Sequence, residues 1–458
     1  MDIDQNERSR LRIILIISTI GSFLTPLIGS MIVLALPQMG AEFSADAIQL
    51  GWVPTIYLLT SAMFLIPLGK ISDIYGRKKI FLAGICILGI SSFLAPFSPT
   101  FFTLIILRGV QGVGSACIFG TSVAIVSSAF PKKELGRALG INVTGVYAGL
   151  AAGPLLGGVL TQYFGWRSLF FIMVPICIVI LYAFIRFIHE EWLNANPPPF
   201  DRIGGLLYAG IVFFGIIGIT SVTRPAGIGS LCLSLLLLSI FIRYERRITF
   251  PVFDVRIFLK NRVFAFSNAA ALINYSATFA IAFLLSLYLQ IVKGFDPQSA
   301  GLILVSQPLI QAFFSPWAGR LSDHIEPGHV ASAGMGLNAL GLFILATVSA
   351  ETTVSTIILA LLFLGFGFAL FSSPNTKAVM GSVPHTEYGL AGATVATMRL
   401  IGMVLSMAIT LFLFTIFIGA VEIGPDQAAD FIRTQRIGFL IFSILCGLGV
   451  FISLARGK

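Results

Sequence analysis

Arg108 and Gln111 lie three residues apart inside the apolar stretch 101–129, which puts a guanidinium and a carboxamide on one face of a helix. A cation in apolar surroundings is costly and marks a functional position by default, unless it snorkels to an interface. Arg399 stands in the same situation inside the stretch 390–419. Such cations could anchor an anion. Asp73 and Arg77 are four residues apart, framed by Gly69 and Gly76. They can form an ion pair that breaks and reforms, a conformational latch, or remain solvated loop charges. Asp323 repeats the Asp73 setting, Gly319-Arg-Leu-Ser-Asp323 against Gly69-Lys-Ile-Ser-Asp73. From Gly145 to Gly158, glycine recurs every four residues, through Gly149, Gly153 and Gly157, with Pro154 beside it. That ridge permits close helix approach, and the proline adds a kink site. Asn268, Asn274, Tyr275, Gln290, Gln307 and Gln311 are polar groups in apolar runs, suited to contact a substrate or to join helices.

Other chemistry is excluded by what the chain lacks. There is no Ser/His/Asp constellation, no metal-ligand cluster and no G-x-x-x-x-G-K-[ST] phosphate loop. No enzyme activity, cofactor or ATP drive is expected. Cys86, Cys117, Cys177, Cys232 and Cys446 all fall in apolar runs without a C-x-x-C pair, so they read as small hydrophobes.

The elements that carry these groups are dictated by solvent. Hydrophobic residues make up 57% of the 458 and charged residues 11%, against roughly 25% in a soluble domain. Mean hydropathy is +0.95. A lipid bilayer is the partner such a surface fits. The net charge of +9 does not indicate nucleic acid, because the basic residues sit at the ends of apolar runs. About fourteen runs reach the length a helix needs to cross a bilayer, from 13–36 through 299–319 to 435–455. The first is too long for a cleavable signal. Lys and Arg concentrate in alternate loops, at 8–12, 70–79, 132–137 and 243–262. The positive-inside rule therefore places the N-terminus, and with an even count Arg456 and Lys458, in the cytoplasm of a cell-membrane protein.

Polar segments at 189–203, with the stiff connector Asn196–Pro199, and at 243–262 bracket a short hairpin. The Asp73 and Asp323 repeats are eight spans apart, six plus that hairpin. The expected fold is all-α: a six-helix bundle over 1–188, linkers and an inserted hairpin over 189–262, and a second six-helix bundle over 263–458.

Gly69-Lys-Ile-Ser-Asp73-Ile-Tyr-Gly76-Arg77-Lys78-Lys79 resembles the loop signature G-x-L-x-D-R-x-G-R-K/R of the major facilitator superfamily. Arg108-Gly-Val-Gln111-Gly112-Val-Gly114 resembles its R-x-x-Q-G-x-G motif. The span-five stretch ending Gly149-Leu-Ala-Ala-Gly153-Pro154-Leu-Leu-Gly157-Gly158 resembles the G-x-x-x-G-P-x-x-G-G motif of drug exporters. With the span count, the chain is similar to the fourteen-helix drug:proton antiporter branch, which includes quaternary-ammonium and some tetracycline exporters. The resemblance implies two bundles that open alternately to either side.

One departure matters. Where that branch often carries L-D-x-T-x-V-N-V-A-L-P, the aligned carboxylate position is Ile28 and the asparagine position Val33. No Asp or Glu falls clearly at mid-membrane, and His189, His324, His329 and His385 fall in loops. Two cations without a buried acid favour an anionic or neutral substrate, and Ile28→Asp is expected to shift preference toward cations. The leading expectation is a monomeric, proton-coupled exporter of small amphipathic compounds. The pathway residues are Arg108, Gln111, Asn274, Gln307, Gln311 and Arg399. The gate residues are Gly69, Asp73, Gly76, Arg77, Gly149, Gly153, Pro154, Gly157, Gly158 and Asp323. The alternatives are an exporter or facilitator of an anionic metabolite held by Arg108 and Arg399, and a receptor or assembly component that no longer transports.

Overall fold

The structure is a computed structural model that describes residues 5–188, 190–192, 199–384, 387–422 and 424–456. His189, His385, Lys458 and most of the proline connector at 196–199 lie outside the described residues.

Apolar composition drives the backbone into helices, because a helix satisfies its own N–H and C=O groups where water is absent. In chain order these are α1 (Gln5–Met31), α2 (Leu36–Phe43), α3 (Ala47–Tyr75), α4 (Arg77–Leu94), α5 (Phe101–Ala129), α6 (Lys132–Phe164), α7 (Ser168–Phe171) and α8 (Met173–Phe187). The chain continues with α9 (Arg202–Thr220), α10 (Pro225–Glu245), α11 (Arg256–Lys260), α12 (Arg262–Thr278), α13 (Ile281–Leu287), α14 (Pro297–Leu304) and α15 (Ser306–His324). It ends with α16 (Pro327–Ala346), α17 (Val354–Gly381), α18 (Tyr388–Phe417) and α19 (Ala428–Leu454).

Polar residues in the connections set the starts. Asp46 and Gln49 form a reciprocal capping box on α3, with bonds of 2.7 and 2.9 Å. Asp201, Asn261 and Asp296 cap α9, α12 and α14. Gly76, at φ +112°, breaks α3 from α4, a turn that L side chains rarely adopt.

Thirteen helical segments among the described residues are long and apolar enough to cross a membrane. The remaining expected span, 299–319, is built from two consecutive helices, α14 and α15, which meet at Val305. Its second half ends in Arg320, Asp323 and His324, which lowers its hydropathy. Counting that pair as one span gives fourteen. Large apolar side chains such as Phe102, Leu206, Phe313 and Phe451 face outward, as a lipid-facing surface requires.

In one group, α1 packs against α5 and α6, α3 against α5, and α4 against α5 and α8. In the other, α12 packs against α18 and α19, α16 against α17 and α19, and α15 against α17. The two groups meet where α3 touches α18 and α6 touches α14. Helices α9 and α10 pair with each other, and α9 contacts both α3 and α18.

Candidate functional site

Between the two groups lies a cavity with about 1400 Å³ of atom-free space, its mouth included. Residues of α1, α3, α5 and α6 line one side, and residues of α12, α15, α17 and α18 the other. The wall is largely apolar and includes the aromatic side chains of Tyr57, Phe119, Tyr147, Tyr275, Phe279, Phe283 and Phe368. Gln307 and Gln311 supply carboxamides, and Arg399 is the one charged group among the lining residues. Its guanidinium carbon stands 5.0 Å from the Phe119 ring centre and 6.0 Å from that of Tyr275. No carboxylate pairs with it among the described residues. Phe119 belongs to α5 and Arg399 to α18, so this cation–π contact joins the two groups. A second link is the hydrogen bond between the Tyr147 and Ser372 hydroxyls.

The structure separates the expected pathway residues. Gln307, Gln311 and Arg399 reach the cavity, whereas Arg108, Gln111 and Asn274 do not. Arg108 is fully buried behind the wall. Its Nε donates to Val53 O at 3.3 Å and one terminal nitrogen to Gln111 Oε1 at 2.9 Å. Gln111 passes the chain on to Ser92 Oγ at 2.9 Å. The guanidinium lies 4.6 Å from the Tyr57 ring centre. The Tyr57 hydroxyl donates to Thr25 O at 2.7 Å and contacts Ser115 Oγ at 2.8 Å. Tyr57 rather than Arg108 presents itself to the cavity, so the expectation of two cavity cations is corrected to one. Asn274 turns toward α16 and accepts from Asn338 Nδ2 at 3.0 Å. Asn268 donates to its own helix, at Phe264 O. Ile28 is buried and off the wall, where Gly29, Ser30 and Val33 stand instead. An acid at position 28 would not enter the cavity.

The expected gate residues fall at the two ends. At the end bearing the 69–79 loop, here called the basic face, Asp73 and Arg77 pair at 2.8 Å. Arg77 also donates to Ala124 O at 3.0 Å and to Ser128 Oγ, tying the loop to α5. The Glu191 carboxylate lies against Gly76 and accepts from the Lys78 backbone N–H at 2.8 Å. A side chain at Gly76 would displace it. A Cβ on Gly69 would meet nothing within 4 Å, so its smallness is not needed for packing in this conformation. Asp323 pairs with Lys377 of α17, which also donates to Ser322 O at 2.7 Å.

Toward the opposite face the glycine ridge of α6 carries two contacts. Gly149, Gly153 and Gly157 lie on α1, where a Cβ on Gly157 would come 2.5 Å from Met31 O. Gly158 lies on α14, 2.6 Å from Pro297 O by the same measure, and Gly301 lies on Pro154 O. Nearby, Ser286 Oγ donates to Val33 O at 3.0 Å and Gln290 Nε2 to Leu34 O at 3.2 Å. The two groups are therefore closed against each other at this end.

The sequence profile of the Major Facilitator Superfamily matches residues 18–296 and again 267–457. The chain belongs to this superfamily. The double match covers both helix groups. Among similar proteins is the riboflavin transporter RibZ of Clostridioides difficile, 30% identical over 96% of each chain. The multidrug resistance protein Stp of Mycobacterium tuberculosis is 30% identical over 88% of this chain and 75% of its own. The tetracenomycin C resistance and export protein of Streptomyces glaucescens is 26% identical over 92% of this chain and 78% of its own. Stp and the tetracenomycin C exporter agree with the drug-efflux branch that the motifs resemble. A bacterial homologue of the human lysosomal transporter Spinster, solved inward-facing and unoccupied, shares the fold with a TM-score of 0.71. It is 16% identical, with 99% of this chain and 98% of that one covered.

As a superfamily member the protein is a multi-pass membrane transporter. Several residues at and around the site were not singled out from the sequence. Tyr147 sits within the glycine motif and Ser372 beside Pro374, but helical spacing alone does not say that they meet across the two groups. Lys377 had a signal in the Asp323 repeat, which lacks the arginine that follows Asp73 by four residues and so needs a partner from elsewhere.

Proposed function

We propose that the protein moves a small, flat, amphipathic compound, neutral or anionic, across the cell membrane by alternating access, exporting it against proton entry. The observation that carries this reading is Arg399, a cation without a carboxylate partner among the described residues, held beside the Phe119 and Tyr275 rings in a largely apolar wall. Such a wall stacks a planar solute, Gln307 and Gln311 can hydrogen bond its polar edge, and the guanidinium favours negative charge. A cationic solute would meet Arg399 without a compensating acid among the described wall residues, and each added charge would multiply the repulsion. Two relatives are a riboflavin transporter and a tetracenomycin C exporter, and both compounds are flat and polycyclic, which supports this class.

In this reading residues 1–188 and 263–458 are the two moving bundles, and 189–262 forms the linkers and hairpin. Both termini are cytoplasmic and one copy of the chain suffices. The Asp73–Arg77 pair braces the basic-face end of the first bundle and the Asp323–Lys377 pair that of the second. On the α6 ridge, Gly149, Gly153 and Gly157 seat α6 on α1, and Gly158 and Pro154 close the opposite face against α14.

The test is transport in proteoliposomes with riboflavin, a flat anionic dye and a lipophilic dication, with and without a pH gradient. Wild type should carry the first two. Arg399→Ala should raise KM for the anion about tenfold, roughly 1.4 kcal/mol of binding, and for the neutral compound much less. Efficient transport of the dication, or an Arg399→Ala variant that treats all three like wild type, overturns the reading.

A further inference from the structure

Among the described residues two carboxylates are almost fully withdrawn from solvent, Asp201 at 7% exposure and Glu245 at 0%. Neither takes part in the cavity or the gates. They stand at the two ends of the α9–α10 hairpin, Asp201 as the cap of α9 and Glu245 as the last residue of α10. Each carboxyl group has one oxygen served by donors. Asp201 Oδ1 accepts from the Gly204 backbone N–H and from the Tyr244 hydroxyl, both at 2.9 Å. Glu245 Oε2 faces the Phe253 N–H at 3.4 Å. The other two oxygens, Asp201 Oδ2 and Glu245 Oε1, are buried, and neither has a hydrogen-bond donor among the described residues. Both lie against the point where a Gly204 Cβ would sit, so they converge on one spot that glycine leaves open.

The surrounding charges do not neutralise them. On their own helices Arg202 and Arg243 are exposed, as are Arg246 and Arg247 in the following loop. The Arg256 side chain donates to Arg246 O and Ile248 O. Asp254 accepts from the Arg256 backbone N–H. Lys70 and Asp73 of α3 share with Asp201 and Asp254 a pocket beside the hairpin. None of these makes an ion pair with Asp201 or Glu245 among the described residues.

Two ionised carboxylates in buried contact repel strongly, whereas one proton between them turns the contact into a hydrogen bond and leaves a single charge for the donors to hold. We propose that Asp201 and Glu245 form a proton-binding site, a carboxyl–carboxylate pair sharing one proton, that clasps the hairpin at the basic face. Helix α9 carries this proton state to both helix groups, since it touches α3 and α18 and its Tyr208 hydroxyl donates to Ala62 O of α3 at 2.9 Å. The site is independent of the transported solute.

The experiment is infrared spectroscopy of the full chain in phosphatidylcholine–phosphatidylglycerol vesicles, across a pH series and in choline, sodium or calcium chloride. Wild type should show one protonated buried carboxyl band near neutral pH that vanishes as pH rises. Asp201→Asn and Glu245→Gln should each abolish it, because the new amide NH₂ donates to the remaining carboxylate and the proton is no longer needed. A wild type without the band, or with a band unchanged in both variants, overturns the proposal. So does a band that sodium or calcium suppresses near neutral pH, since the pair is then a metal-cation site. If neither variant folds, the wild-type pH and cation series decides alone.

Discussion

The guanidinium of Arg108 lies 4.6 Å from the centre of the Tyr57 ring, and the phenol stands between the cation and the cavity. Arg108 is thus a positioning residue. It ties Val53 O and Gln111 to a fixed place and supports the ring that the solute meets. Removing it strands those buried acceptors, at about 1–3 kcal/mol each. Arg108→Lys should lower transport of neutral and anionic solutes alike, by roughly tenfold, and lower the melting temperature of the purified protein. A loss confined to anions, with unchanged melting, would return Arg108 to the substrate path.

Gly153 faces Ser30 so closely that a Cβ would overlap the serine side chain. Gly153→Ala should therefore block transport and force α6 away from α1. Adding Ser30→Gly removes both the hydroxyl and the Cβ that collide, and should restore at least half of the wild-type rate. Measuring the single and double variants side by side separates steric closure from a chemical role of the ridge. A double variant as inactive as the single one rejects close packing as the cause.

Gly158 faces the chain of α14 rather than α1. Gly158→Val should hold the opposite face ajar. A cysteine placed at Leu34 should then react faster with a membrane-impermeant thiol reagent added from that side. Equal labelling in Gly158→Val and its parent would show that this contact does not seal the protein.

Asp73 and Asp323 each pair with one cation, Arg77 and Lys377. Both pairs are partly exposed to solvent, whose screening leaves them little weight in stability. Asp73→Asn and Asp323→Asn should leave melting nearly unchanged while transport falls severalfold in each. Full transport in both at equal expression would reduce the pairs to surface charges.

Gly29 stands on the cavity wall, and a Cβ there makes only an ordinary 3.5 Å contact with Tyr57. Gly29→Asp should place a carboxylate in the cavity and raise uptake of monovalent cations in vesicles relative to anions. Ile28→Asp should instead cost several kcal/mol through burial of the charge, seen as poor expression. The reverse order of the two variants would mean that α1 turns during transport to bring position 28 to the solute.

The membrane location, the helix count and the superfamily motifs were legible in the chain itself, because each depends on local composition. A run of apolar residues must form a helix in lipid whatever surrounds it, and Gly69 to Lys79 or Gly145 to Gly158 carry their spacing within one segment. Even the interruption of the tenth span at Val305 leaves its length readable. The facing of each polar side chain was decided only by packing. Arg108 and Arg399 look alike in sequence, each a lone cation in an apolar run, yet one is wrapped by Val53, Gln111 and Tyr57 and the other projects between Phe119 and Tyr275. Asn274 and Gln311 divide in the same way, because a helix has a full circle of directions and only its neighbours choose which one is empty. Asp201 and Glu245 are 44 positions apart, at the outer ends of two apolar runs where charges are ordinarily solvated. Their contact arises because α9 and α10 fold back on each other and the Phe253 segment covers them, a long-range pairing that no local pattern encodes.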